Sequence, residues 1–86
     1  MIKKEFVIKS ETGLNSIPAG KFVKVACKYN SSITIEKNER KSNGKSLLGI
    51  LGLGICPGDT VMLTADGPDE QELIDDLVNL NDSKFE

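Results

Sequence analysis

Histidine and tryptophan are absent from all 86 residues. Without histidine the chain has no imidazole for acid–base work near neutral pH and no nitrogen ligand for a zinc site. There are only two cysteines, Cys27 and Cys56. They are not a CxxC pair, so no metal cluster is expected, and a reducing cytosol disfavours a disulfide between them. Both are expected to be buried or half-buried thiols, the usual state of a free cysteine. No apolar run is long enough to span a bilayer, and Met1 to Phe6 lacks the apolar stretch of a signal peptide. The expected location is therefore cytoplasmic, with no membrane partner. There is no glycine-rich nucleotide loop carrying a P-loop lysine. With no metal cluster and no histidine either, the chain is expected not to be an enzyme and to need no cofactor. Aromatics are scarce too, with three Phe and one Tyr. Basic residues without aromatic interleaving exclude direct nucleic-acid binding.

What remains is a short aliphatic chain, expected to be one domain over residues 1–86. At this size folding buries only about 60–65% of the surface that the unfolded chain exposes, so the core is small. The net charge of −2 hides an asymmetry. Residues 1–45 carry ten Lys or Arg and four acids, a net +6, whereas residues 46–86 carry one Lys and nine acids, a net −8. The basic half can steer acidic partners at short range.

Hydrophobic spacing orders the elements. Met1 to Ile8 reads as a strand with Ile2, Phe6 and Ile8 on one face. Ser16 to about Tyr29 reads as a helix whose buried stripe is Ala19, Phe22, Val23 and Ala26, with Lys21, Lys24 and Lys28 towards water. Gly20 inside it costs about 1 kcal/mol relative to alanine. It marks either a tight helix–sheet contact or room for a partner. Ile33 to Glu36 is a strand, and Lys41 to Asn43 is the return arm of a hairpin. Next comes a short segment in which Leu47, Leu48, Ile50, Leu51 and Leu53 leave no polar face. It is either fully buried or a protein-binding patch. Thr60 to Ala65 is a strand with Val61, Leu63 and Ala65 inward. The last helix buries Leu73, Ile74, Leu77 and Val78 and turns its acids to solvent, with fraying expected from Asn81 onward. The order β-α-β-β-α-β-α predicts an α+β fold, a four-stranded antiparallel sheet with three helices on one face.

Two stretches carry functional information. In Gly13-Leu14-Asn15-Ser16-Ile17-Pro18-Ala19, Gly13 permits a turn, Asn15 and Ser16 suit a helix N-cap, and Pro18 fits the first helical turn. The segment resembles the active-site loop of the HPr family, the phosphocarriers of the bacterial sugar phosphotransferase system, written Gly-(apolar)-His-(Ala/Ser)-Arg-Pro-Ala. Asn15 stands at the histidine position and Ile17 at the arginine position. The second stretch, Lys45 to Leu53, matches the family's regulatory segment, with Ser46 at the serine that is phosphorylated in Gram-positive-type members.

The resemblance implies an HPr-like open-faced β-sandwich and a partner surface made by Gly20, Lys24, Leu47, Leu48, Gly49 and Leu51. An amide nitrogen is not nucleophilic, because its lone pair is delocalised, and Ile17 cannot pair with a phosphate. Asn15, Ser16, Ile17 and Pro18 therefore form a degenerate phosphohistidine site. Crh proteins, which also lack the histidine and keep the serine, are similar in logic and regulate carbon catabolite repression. The implied partners are HPr kinase/phosphorylase, a CcpA-like transcription regulator and Enzyme I, although Ile17 replaces the arginine that helps meet the regulator. The expectation is a regulatory protein switched at Ser46. The alternative is a non-phosphorylated competitor or scaffold for HPr partners.

Overall fold

The computed structural model describes residues 1–86. Four strands and three helices follow in the expected order: β1 (Ile2–Val7), α1 (Ser16–Ala26), β2 (Ser32–Lys37), β3 (Arg40–Asn43), α2 (Leu47–Leu51), β4 (Thr60–Asp66) and α3 (Glu70–Asp82). The sheet is antiparallel throughout, in the order β1-β4-β2-β3. β4 runs between β1 and β2, with Leu63 opposite both Lys4 and Ile35. The helices lie on one face, α1 packing against α2 on one side and α3 on the other.

Alternation decides which strand residues enter the core. Ile33 and Ile35 of β2 and Val61, Leu63 and Ala65 of β4 are buried, while their neighbours along each strand are partly or fully exposed. Facing them are Ala19, Phe22 and Ala26 of α1 and Leu73, Ile74 and Leu77 of α3. The β2–β3 hairpin turns on Asn38 and Glu39, both with positive φ (51° and 68°). That is the backbone of a two-residue I′ turn, whose twist matches the strands. Tyr29 donates its hydroxyl proton to Asp76, tying the turn after α1 to α3 and pushing the tyrosine pKa up to about 12.

Several expectations need correction. α1 ends at Ala26, and Cys27 to Asn30 form turns rather than a last helical turn. Ser16 is the first helical residue and not the N-cap, which is Asn15. Cys27 and Cys56 are both exposed, because each lies just outside the packed elements, after α1 and in the loop before β4. Gly20 makes no tight contact, since a Cβ there would meet nothing within 4 Å.

The chain end departs most from expectation. Asn81 does not begin a frayed tail but is 1% exposed at the end of α3. Its amide donates to the Val7 carbonyl at 2.8 Å, and its side-chain oxygen accepts from the Lys9 N–H at 3.0 Å. One side chain thus satisfies two backbone groups where β1 runs out. Phe85, 3% exposed, packs into the core beyond it, and Lys21 Nζ donates to the Phe85 carbonyl at 2.8 Å.

Substituting Asn81 with alanine strands those two backbone groups, so urea denaturation should show a loss of about 1–3 kcal/mol. The exposed Asn79→Ala should stay within about 0.5 kcal/mol of the parent.

Candidate functional site

The first half of the site is built by two loops that hold each other. Ile8 N–H donates to the Asp59 carbonyl at 2.8 Å, Gly58 N–H to the Ile8 carbonyl at 3.0 Å, and Leu14 N–H to the Ile55 carbonyl at 3.0 Å. Gly13 makes this approach possible. Its φ is +69°, and a Cβ would collide with the backbone of Ile55 and Cys56. Leu14 is buried at 2% exposure, so the loop is anchored one residue before Asn15.

Asn15 is the N-cap of α1, with φ −78° and ψ −169°. Its carbonyl accepts the Ala19 N–H at 2.9 Å, but its exposed side chain makes no capping bond. Ser16 is exposed, Ile17 is 71% exposed, and Pro18 and Ala19 are buried. An open depression of about 270 Å³ lies beside Asn15, bordered by Ser10, Thr12, Ile17, Pro18 and the chain end Lys84 to Glu86. The sequence reading missed Ser10, Thr12 and the chain end. Phe85, an apolar side chain just past the last helix, was the signal that the end folds back.

The second half is α2. Ser46 is its N-cap, with extended φ and ψ, and its Oγ accepts the Gly49 N–H at 3.1 Å. The hydroxyl is half-exposed at the helix's positive end. A Cβ at Gly49 would run into the Ser42 hydroxyl, which would have to turn away. Lys45 Nζ reaches the Tyr29 carbonyl at 2.8 Å and so braces the entry to α2 against α1. The exit is braced by the hairpin. Arg40 donates to the Gly52 carbonyl at 3.0 Å, and Lys37 donates to the Gly54 carbonyl at 2.8 Å while pairing with Asp59 at 2.7 Å. Lys37 and the Cys56 N–H together hold the Asp59 carboxyl below its ordinary pKa.

The apolar segment is divided. Ile50 and Leu53 are in the core at 0% and 6% exposure, whereas Leu47 and Leu48 are 39% and 82% exposed, and Leu51 is half-buried. Lys24 is exposed on α1, and half-exposed Gly20 leaves open space above it. Packing of α1 on α2 places the Asn15–Pro18 turn and the Ser46 segment on neighbouring elements of one face. Ser46 and Asn15 share no hydrogen bond: the serine's side-chain bond is to Gly49 in its own helix.

The family profile described as "PTS HPr component phosphorylation site" matches residues 2–83. The chain belongs to the HPr family. It is 41% identical to the HPr-like protein Crh of Halalkalibacterium halodurans over 78 residues, covering 91% of this chain and 93% of that protein. It is 40% identical to the phosphocarrier protein HPr of Borreliella burgdorferi over 83 residues, covering 96% of each. The solved structure of HPr-C-His from Thermoanaerobacter tengcongensis superimposes with a TM-score of 0.96 at 46% identity, over 99% of this chain and 96% of that one. HPr membership sets the general role, that of a phosphocarrier or regulatory protein of the sugar phosphotransferase system rather than an enzyme.

The division of α2 predicts opposite responses to truncation. Ile50→Ala should cost about 2–5 kcal/mol by urea denaturation, through lost burial and the cavity left behind. Leu48→Ala should change stability by no more than about 0.5 kcal/mol.

Proposed function

We propose that this chain is a Crh-like regulator, switched by phosphorylation of Ser46 and unable to carry phosphate at position 15. The observation that carries the reading is the contrast between the two halves of the site. Asn15 offers an amide where the family carries its histidine, and the chain has no histidine anywhere to replace it. Ser46 presents a half-exposed hydroxyl at the first turn of α2, flanked by exposed Leu47 and Leu48.

The chemistry of the switch follows from that placement. A phosphoryl group on Ser46 adds about −1.5 to −2 charge at the positive end of α2, where it stabilises the helix. The new charge sits beside the Leu47–Leu48 patch and changes which partners fit there. By family likeness the modifying enzyme is an HPr kinase/phosphorylase in the cytoplasm, and the reader is a CcpA-like transcription regulator. Ile17 offers that regulator an apolar contact in place of a cationic one. Gly20, Lys24, Leu47, Leu48, Gly49 and Leu51 belong to the same proposed partner surface.

Intact-protein mass after incubation with HPr kinase/phosphorylase and ATP tests the switch. One added phosphate on the parent and none on Ser46→Ala is the expected result. An unlabelled parent, or equal labelling of Ser46→Ala, contradicts it.

A further inference from the structure

Asn15 has a chemical liability that the fold creates. A side-chain amide is lost when the backbone nitrogen of the next residue attacks the amide carbon and closes a five-membered ring. Such closure requires Cβ to eclipse that nitrogen. With tetrahedral geometry at Cα, an L residue meets this condition at ψ of about −120°. Asn15 has ψ −169°, already on that side of the extended region. A regular strand, at ψ of about +135°, stands much further from closure.

The reacting groups at Asn15 are also unengaged. Its side chain makes no capping bond, and it is exposed. The Ser16 N–H points out of the first turn of α1 with no acceptor. The helix dipole favours negative charge at this end and so stabilises the nitrogen anion that attacks. Ser16 is small and does not shield the ring.

The other asparagines followed by a small residue are protected. Asn43-Gly44 is the dipeptide with the least steric hindrance to cyclisation in an unfolded chain. Here Gly44 N–H donates to the Ile33 carbonyl at 2.7 Å, and Asn43 Oδ1 accepts from the Lys45 N–H at 2.9 Å, at the end of β3. Asn30 is followed by Ser31, whose N–H is held by Asp69 at 2.9 Å. Asn38 precedes the bulkier Glu39, and Asn79 and Asn81 lie inside α3.

We propose that Asn15 is the preferred site of spontaneous deamidation in the folded chain, by cyclisation onto the Ser16 nitrogen. In the first step the Ser16 N–C bond forms, the amide C–N bond breaks, and ammonia leaves with the displaced proton. Water then opens the succinimide at either carbonyl, giving an aspartyl or an isoaspartyl residue at position 15. The net charge moves from −2 to −3, and the new carboxylate faces the positive end of α1 beside exposed Ile17. The product is a time-dependent anionic form of the chain, independent of Ser46.

The test is peptide mapping by mass spectrometry of the full chain during incubation at mildly alkaline pH, folded and in urea. Isoaspartate is scored with an isoaspartyl methyltransferase. In the folded chain, loss at Asn15 should outpace loss at Asn43 several-fold, with isoaspartate among the products, and urea should reverse the order. Ser16→Val, checked for folding by circular dichroism, should slow loss at Asn15 several-fold and leave Asn43 unchanged. Faster loss at Asn43 in the folded chain overturns the proposal. So does an unchanged rate at Asn15 in Ser16→Val, which would mean hydrolysis without cyclisation.

Discussion

The mutual grip of the loop after β1 and the loop before β4 is the constraint on which the site depends. Three backbone hydrogen bonds join them, through Ile8 and Leu14 on one side and Ile55, Gly58 and Asp59 on the other. Gly13 alone allows the approach, by combining a left-handed backbone with the absence of a Cβ. One loop delivers the first turn of α1. The other is the exit from α2, and Lys37 and Arg40 clip it to the β2–β3 hairpin. Fixing the two loops to each other fixes the start of α1 and the end of α2 on one scaffold, and Lys45 on the Tyr29 carbonyl holds the start of α2.

Within that frame the two positions have different chemistry. A helix N-terminus with free N–H groups suits an anion, and the turn at Asn15 keeps this geometry. What it lacks is an imidazole, because the chain has no histidine and Asn15 supplies only an amide. Ser46 occupies the other helix start with a hydroxyl already oriented by Gly49. Negative charge is favoured at either place, and in the proposed switch it is the Ser46 hydroxyl that a kinase modifies. The exposed leucines next to it supply the apolar area that a partner can bury.

Much of this was legible in the sequence because β2 and β4 alternate strictly and the two long helices carry clear stripes. Ile33, Ile35, Val61, Leu63 and Ala65 declare their face by parity alone. The Gly13–Ala19 and Lys45–Leu53 stretches pointed to the two segments from which the candidate site is built. Other features had no local signal. A five-residue helix is too short for its period to show which leucines point inward, so the split between Ile50 and Leu48 emerged only from packing. Asn81 reads as a polar residue at a fraying end, yet its value lies in two backbone groups more than seventy residues away in the chain. The exposure of Cys27 and Cys56 reflects where elements stop, the least legible property of a sequence. The depression beside Asn15 depends on the returning chain end, a contact that no short-range pattern encodes.

The central claim is that the docking face persists while the phosphoryl acceptor is gone. Its most direct test is an amide-resolved NMR spectrum of the ¹⁵N-labelled chain, titrated with phosphorylated Enzyme I and recorded again after that enzyme is removed. The predicted result is reversible displacement of resonances on the exposed face of α1 and α2, Ile17, Gly20 and Leu48 among them, with full return to the starting spectrum. A displacement at Asn15 or Ser16 that outlasts removal of Enzyme I, accompanied by retained phosphate, would contradict the account.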